Sequence, residues 1–144
     1  MAARGGTAVT TTDIFYWPVR VYYEDTDAAG VVYYANYLKF FERARTEWLR
    51  ARGFEQDMMR EAHGVVFVVS RLQVDYQRPA KFNDALRVSC EMRKCGAASM
   101  SFHQVAERTS DQIPLSQATV QIVCVDADSF KPTPIPNAMR SYFL

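Results

Sequence analysis

The densest group of reactive side chains is Glu24-Asp25-Thr26-Asp27, followed by Ala28-Ala29-Gly30 and then Val31-Val32-Tyr33-Tyr34-Ala35-Asn36-Tyr37. Carboxylates just ahead of a helix serve most often as turn formers and caps, because their oxygens accept from the first unpaired N–H groups. That reading suits Asp25. A second role is open to Asp27. Val31 to Tyr34 lead the chain into a helix through apolar surroundings, so the unpaired N–H groups there meet little water and favour an anion. A carboxylate beside donors aimed at a developing oxyanion is enough to hydrolyse an activated acyl group.

Other reactive residues are scattered. Glu42 falls within the helix, where pairing with Arg45 or Thr46 is its ordinary role. His63 and His103 have no carboxylate or cysteine at ligand spacing, so no metal is expected. Cys90, Cys95 and Cys124 are odd in number and lack CxxC spacing; they read as buried small hydrophobes in a reducing compartment, which makes the cytoplasm the expected location. Arg71, Arg87, Arg93 and Lys94 are candidates for a phosphate-bearing ligand, with solvated strand faces as the alternative.

These residues must be positioned by a small set of elements. Trp17–Glu24 alternates as a half-buried strand, and Asp25–Gly30 has turn chemistry. Tyr33, Tyr37, Phe40, Phe41, Ala44, Trp48 and Ala51 form an apolar stripe that predicts a helix over Tyr33–Arg52, ended by Gly53. Glu55–Ala62 predicts a short helical turn closed by Gly64. Val65–Arg78 reads as a long strand stopped by Pro79, apolar on both faces over Val65–Val69. Leu86–Met92, Ser99–Glu107 and Gln117–Val125 alternate as three more strands of an antiparallel meander. Lys131–Pro136 is too rich in proline for either element, and Asn137 is placed to cap a last turn.

One strand, one long helix and four strands without intervening helices make an α+β layer pair. The 144 residues, 49% of them hydrophobic, suit a single domain over 14–144 behind a disordered leader at 1–13. A net charge of +1 supplies no field for nucleic acid. No apolar run, Val65–Val69 included, approaches the roughly 20 residues of a membrane span. The two-sided apolar run at Val65–Val69 needs cover from a partner subunit.

The combined pattern E-D-T-D-A-A-G-V-V-Y-Y-A-N-Y-L, then F-E-R-A-R-T-E-W-L-R, then V-D-Y-Q-R-P-A, resembles the 4-hydroxybenzoyl-CoA thioesterase family over roughly Trp17 to Pro136. It is closest to the bacterial acyl-CoA thioesterases associated with the Tol-Pal envelope system. The resemblance implies a hot-dog fold, a long central helix wrapped by a curved antiparallel sheet of about five strands, in chains that pair edge to edge as homodimers or homotetramers. It maps the catalytic carboxylate onto Asp27 and the backbone donor that polarises the thioester carbonyl onto Tyr34. Relatives usually carry His at the position of Tyr34 and often Gly at that of Ala29. A tyrosine, with its reference pKa of about 10, cannot take over a proton-handling role from such a His.

The expected function is hydrolysis of acyl-CoA to a carboxylic acid and free CoA, with Asp27 as nucleophile or general base. No cofactor is expected, CoA being part of the substrate. The alternative keeps the fold and removes the chemistry: a module that binds thioesters or acyl carrier protein within an envelope-linked assembly. A hot-dog dehydratase is disfavoured because no His and carboxylate pair is apparent.

Overall fold

A computed structural model describes residues 14–143 together with Thr7–Ala8. The chain builds β1 (Thr7–Ala8), β2 (Phe15–Arg20), a 3₁₀ turn at Tyr23–Asp25, α1 (Asn36–Ala51), α2 (Gln56–His63), β3 (Val65–Tyr76), β4 (Ala85–Cys95), β5 (Ser99–Arg108), β6 (Pro114–Asp126) and α3 (Asn137–Phe143). Among the described residues, no helix is long and apolar enough to cross a membrane. The leader expected at 1–13 lies outside the described residues except for β1, which pairs with β4 at Cys95 and Lys94.

One antiparallel sheet runs β1-β4-β5-β6-β3, with β2 also paired to β4. The expected antiparallel meander is present in β4, β5 and β6. β3 pairs with β6 and stands at the edge. The chain leaving β3 therefore crosses the whole sheet through residues 77–84 before entering β4. Register shifts at Val69/Arg71, Met92/Lys94 and Ala106/Glu107 mark bulges, which bend strands and raise their twist.

α1 lies on one face of that sheet and buries Tyr37, Phe40, Phe41, Ala44, Trp48 and Leu49, the three- and four-residue spacing of a single helical face. Met100, Phe102, Gln104 and Ala106 of β5 are buried in alternation. Trp48 meets Phe102 edge to face with centroids 5.1 Å apart and stacks on Phe143 of α3 at 5.1 Å. Fully burying such a side chain is worth roughly 1.5–3 kcal/mol, so this stripe fixes which way α1 faces.

Of the boundaries that differ from the periodic reading, two bear on the carboxylate loop. β2 ends at Arg20 because the next backbone groups are captured elsewhere: Val21 N–H donates to the Asp84 carbonyl (3.0 Å), and the Asp25 carboxylate accepts from Tyr22 N–H (2.9 Å). α1 begins at Asn36 rather than Tyr33, since the Tyr33 carbonyl accepts Asn36 N–H in a turn (2.8 Å) and Leu38 N–H bonds the Ala35 carbonyl (3.1 Å) instead of that of Tyr34. Both helix stops are glycines with positive φ, Gly53 at 87° and Gly64 at 66°, as a left-handed cap requires.

Candidate active site

Asp27 and Tyr34, 7 positions apart in sequence, line the same open groove of about 310 Å³. The turn that carries Asp27 is closed by its own backbone: Asp27 N–H donates to the Val31 carbonyl (2.9 Å) and Gly30 N–H to the Asp27 carbonyl (3.0 Å). Gly30 takes φ 81°, which a residue with a Cβ adopts only with strain. Asp27 Oδ1 accepts from Ala29 N–H at 2.9 Å. Among the described residues, Oδ2 meets no donor, so half of this exposed carboxylate remains free to act on something else.

Asp25 is committed differently. Its Oδ2 serves Tyr22 N–H, and its carbonyl accepts both Tyr33 N–H and the Asn36 carboxamide (2.9 Å each). All of this is turn and anchoring chemistry, in keeping with the sequence reading. The buried Asn36 amide thus ties the start of α1 directly to the carboxylate loop.

Tyr34 is placed two residues ahead of α1, with Ala35 as the N-cap residue. Its backbone donor therefore belongs to the turn leading into the helix, a refinement of the expected helix N–H. Among the described residues, no acceptor meets the N–H of Tyr34 or of Ala35. Tyr34 as a residue is 62% exposed. Leu38 N–H bonds the Ala35 carbonyl (3.1 Å), which leaves the Tyr34 carbonyl out of the helix ladder.

The remaining walls are Val31, Val32, Tyr37, Tyr76, Gln77, Arg78 and Pro79. Gln77 to Pro79 begin the segment that crosses from β3 to β4. It is stitched under the loop by Val32 N–H to the Ala80 carbonyl (2.8 Å) and by the Val31–Lys81 bridge. Tyr23 stacks on Phe82 with centroids 3.8 Å apart. Tyr37 accepts Ala80 N–H through its hydroxyl (3.2 Å), and burial raises its phenol above the ordinary range.

The sequence reading placed Tyr37 only in the apolar stripe of the helix and gave Tyr76 and Arg78 no part in the site. The one signal for Tyr76 and Arg78 was membership in the quoted segment V-D-Y-Q-R-P-A, which carries no chemistry until the end of β3 comes beside Asp27.

The other candidates disperse. Glu42 Oε2 accepts from Thr46 at 2.5 Å. Arg87 pairs with Glu107 and lies over the Tyr16 ring, and Arg93 pairs with Glu91 at 3.0 Å. Arg71 and Lys94 are exposed on strands β3 and β4. His63 ends α2 and His103 sits mid-strand in β5, both outside the groove. Cys90, Cys95 and Cys124 are buried free thiols, and burial pushes the Cys124 thiol up to about 11.

The fold and much of the sequence are shared with known proteins. The family model for the thioesterase-like superfamily matches residues 21–143. The acyl-CoA thioesterase YbgC of Haemophilus influenzae is 46% identical over 129 residues, 90% of this chain and 93% of that protein. The acyl-CoA thioester hydrolase YbgC of Escherichia coli is 43% identical over 132 residues, 92% and 97% of the two chains. A crystal structure of a protein described as a probable thioesterase from Bartonella henselae superposes with a TM-score of 0.81 at 31% identity, covering 86% of this chain and all of that one. The chain belongs to the thioesterase-like superfamily and has its hot-dog fold.

Proposed function

We propose that the chain hydrolyses acyl-CoA thioesters, with Asp27 as the catalytic carboxylate and the Tyr34 N–H as the donor to the thioester oxygen. One observation carries this reading: a carboxylate with a free oxygen and an N–H without an acceptor belong to residues of one groove. Charge develops on the carbonyl oxygen as the thioester is attacked, and a fixed backbone donor stabilises that charge without reorganising. Asp27 acts either on the carbonyl carbon, giving a mixed anhydride that water then opens, or on a water that attacks in its place. Both routes consume one water and release a carboxylic acid and the CoA thiol. The chemistry uses no cofactor. An acyl carrier protein presents the same thioester and is a second substrate to assay.

The site is assigned to an oligomer. β3 exposes apolar side chains along an unpaired edge, Val68, Val69 (51% exposed), Leu72 and Tyr76, and a long exposed edge of this kind invites a second strand. We take the occupant to be a second copy of the chain, as a homodimer or tetramer of paired sheets. The buried thiols fit a reducing compartment, and we place the enzyme in the cytoplasm on that ground.

The test is release of free CoA thiol from acyl-CoA substrates by the parent and by Asp27→Asn. The substitution is nearly isosteric, so binding of a non-hydrolysable analogue should persist while kcat falls about 10²–10⁴-fold. Asp25→Asn should cost less than about tenfold, because its carboxylate serves only a turn. Near-parental turnover in Asp27→Asn removes the assignment.

A further inference from the structure

Tyr76 lies at the end of the edge strand β3, 42 residues after Tyr34, and its hydroxyl donates to the Tyr34 carbonyl at 2.9 Å. Its ring packs edge-on against Tyr37 (5.6 Å between centroids) and Tyr34 (6.1 Å), and all three tyrosines line the groove with Asp27. We infer that Tyr76 is a positioning residue for the hydrolysis: its hydroxyl holds the Tyr34 carbonyl out of the helix ladder and thereby fixes the direction of the Tyr34 N–H. The inference rests on the donor role proposed above for that N–H.

The physical argument concerns two consecutive peptides. A trans peptide is a rigid plane. The plane that carries the Tyr34 N–H is held at its carbonyl end by Asn36 N–H on the Tyr33 oxygen (2.8 Å). The next plane is held at its carbonyl end by Tyr76. In an unbroken α-helix the Tyr34 carbonyl would accept from Leu38 N–H, four residues on. Here Leu38 N–H bonds Ala35 instead (3.1 Å), and Tyr76 supplies the donor that Tyr34 lacks. Without the hydroxyl, that carbonyl regains its donor by winding α1 back one residue, a rotation at Tyr34 that re-aims its N–H. Burial and then the nearby Tyr34 lift the Tyr76 phenol above the ordinary range, so it remains a donor at neutral pH.

Tyr76→Phe removes the hydroxyl and keeps the ring packing. Its kcat should fall about tenfold, with KM, analogue binding, oligomer mass and melting temperature near parental values. Tyr16→Phe, a hydroxyl deletion on β2 away from the groove, is the control and should leave kcat unchanged. The second arm replaces the Tyr34 N–H by an ester oxygen through semisynthesis, which should cost about 10²-fold in kcat. In that ester protein Tyr76→Phe should cost less than about twofold more, since its effect passes through the missing N–H. A silent ester overturns the donor reading and this inference with it. A costly ester with a silent Tyr76→Phe overturns the inference alone. So does a Tyr76→Phe loss that is undiminished in the ester protein.

Discussion

The guanidinium of Arg45 on α1 donates at 3.0 Å to the carboxamide oxygen of Gln104 on β5, and Gln104 is fully buried. The Gln104 amide in turn donates to the carbonyls of Phe41 (2.9 Å) and Ser89 (3.3 Å). Ser89 and Gln104 fall in a gap of the β4–β5 pairing, between Val88↔Ala106 and Glu91↔His103. Ser89 Oγ accepts Val105 N–H there (2.8 Å), so side chains supply bonds that the ladder does not. Burial lowers the Arg45 pKa from its ordinary value, the mark of a charge held where water is scarce.

Removing one partner of this network should therefore be costlier than removing both. Gln104→Leu strands the Arg45 charge against the sheet and should cost about 2–4 kcal/mol. Adding Arg45→Met should recover part of that loss. Urea unfolding at fixed protein concentration measures both, and a double variant no better than the additive sum would show that the two residues act separately.

At Tyr34 the assigned function belongs to the backbone. Tyr34→Phe should retain activity within about threefold, because the N–H is untouched. Steady-state thiol release decides the matter. A loss beyond about a hundredfold would transfer the chemistry to the phenol.

Assembly is tested at Val68, on the exposed edge strand. The parent should scatter light as a dimer or larger at micromolar concentration. Val68→Lys should shift it towards monomer and lower thiol release, since a charge in an apolar interface core is costly to desolvate. A compact and stable parental monomer would remove the proposed pairing.

Asp126 provides a pH-dependent prediction. Its Oδ2 accepts from Ser129 N–H (2.8 Å) and Asp128 N–H (3.0 Å), and these bonds, that to Ser129 foremost, hold its carboxyl below the usual range. A group whose pKa is depressed on folding stabilises the fold above its unfolded value and loses that contribution as pH falls through its folded value. Asp126→Asn should therefore melt below the parent at pH 7, with the gap narrowing as pH drops below about 4. A gap independent of pH would show that charge on Asp126 does not contribute.

Much of the architecture is written in local pattern. The apolar stripe from Tyr37 to Leu49 specifies α1 and its buried face, the two glycines with positive φ end α1 and α2, and alternation marks the strands. The Asp27 loop stands out because carboxylates, small residues and Gly30 are contiguous in the chain. Tertiary structure alone decided three things. Strand order is set by pairing between distant segments, which periodicity does not encode, so β3 lands beside β6 and its apolar edge is left open. The start of α1 depends on two carbonyls that never join its ladder, that of Tyr33, which takes Asn36 N–H, and that of Tyr34, which takes the Tyr76 hydroxyl. Tyr76, Gln77 and Arg78 reach the groove because β3 must cross back to β4, and that detour sets Tyr76 against the carbonyl of Tyr34.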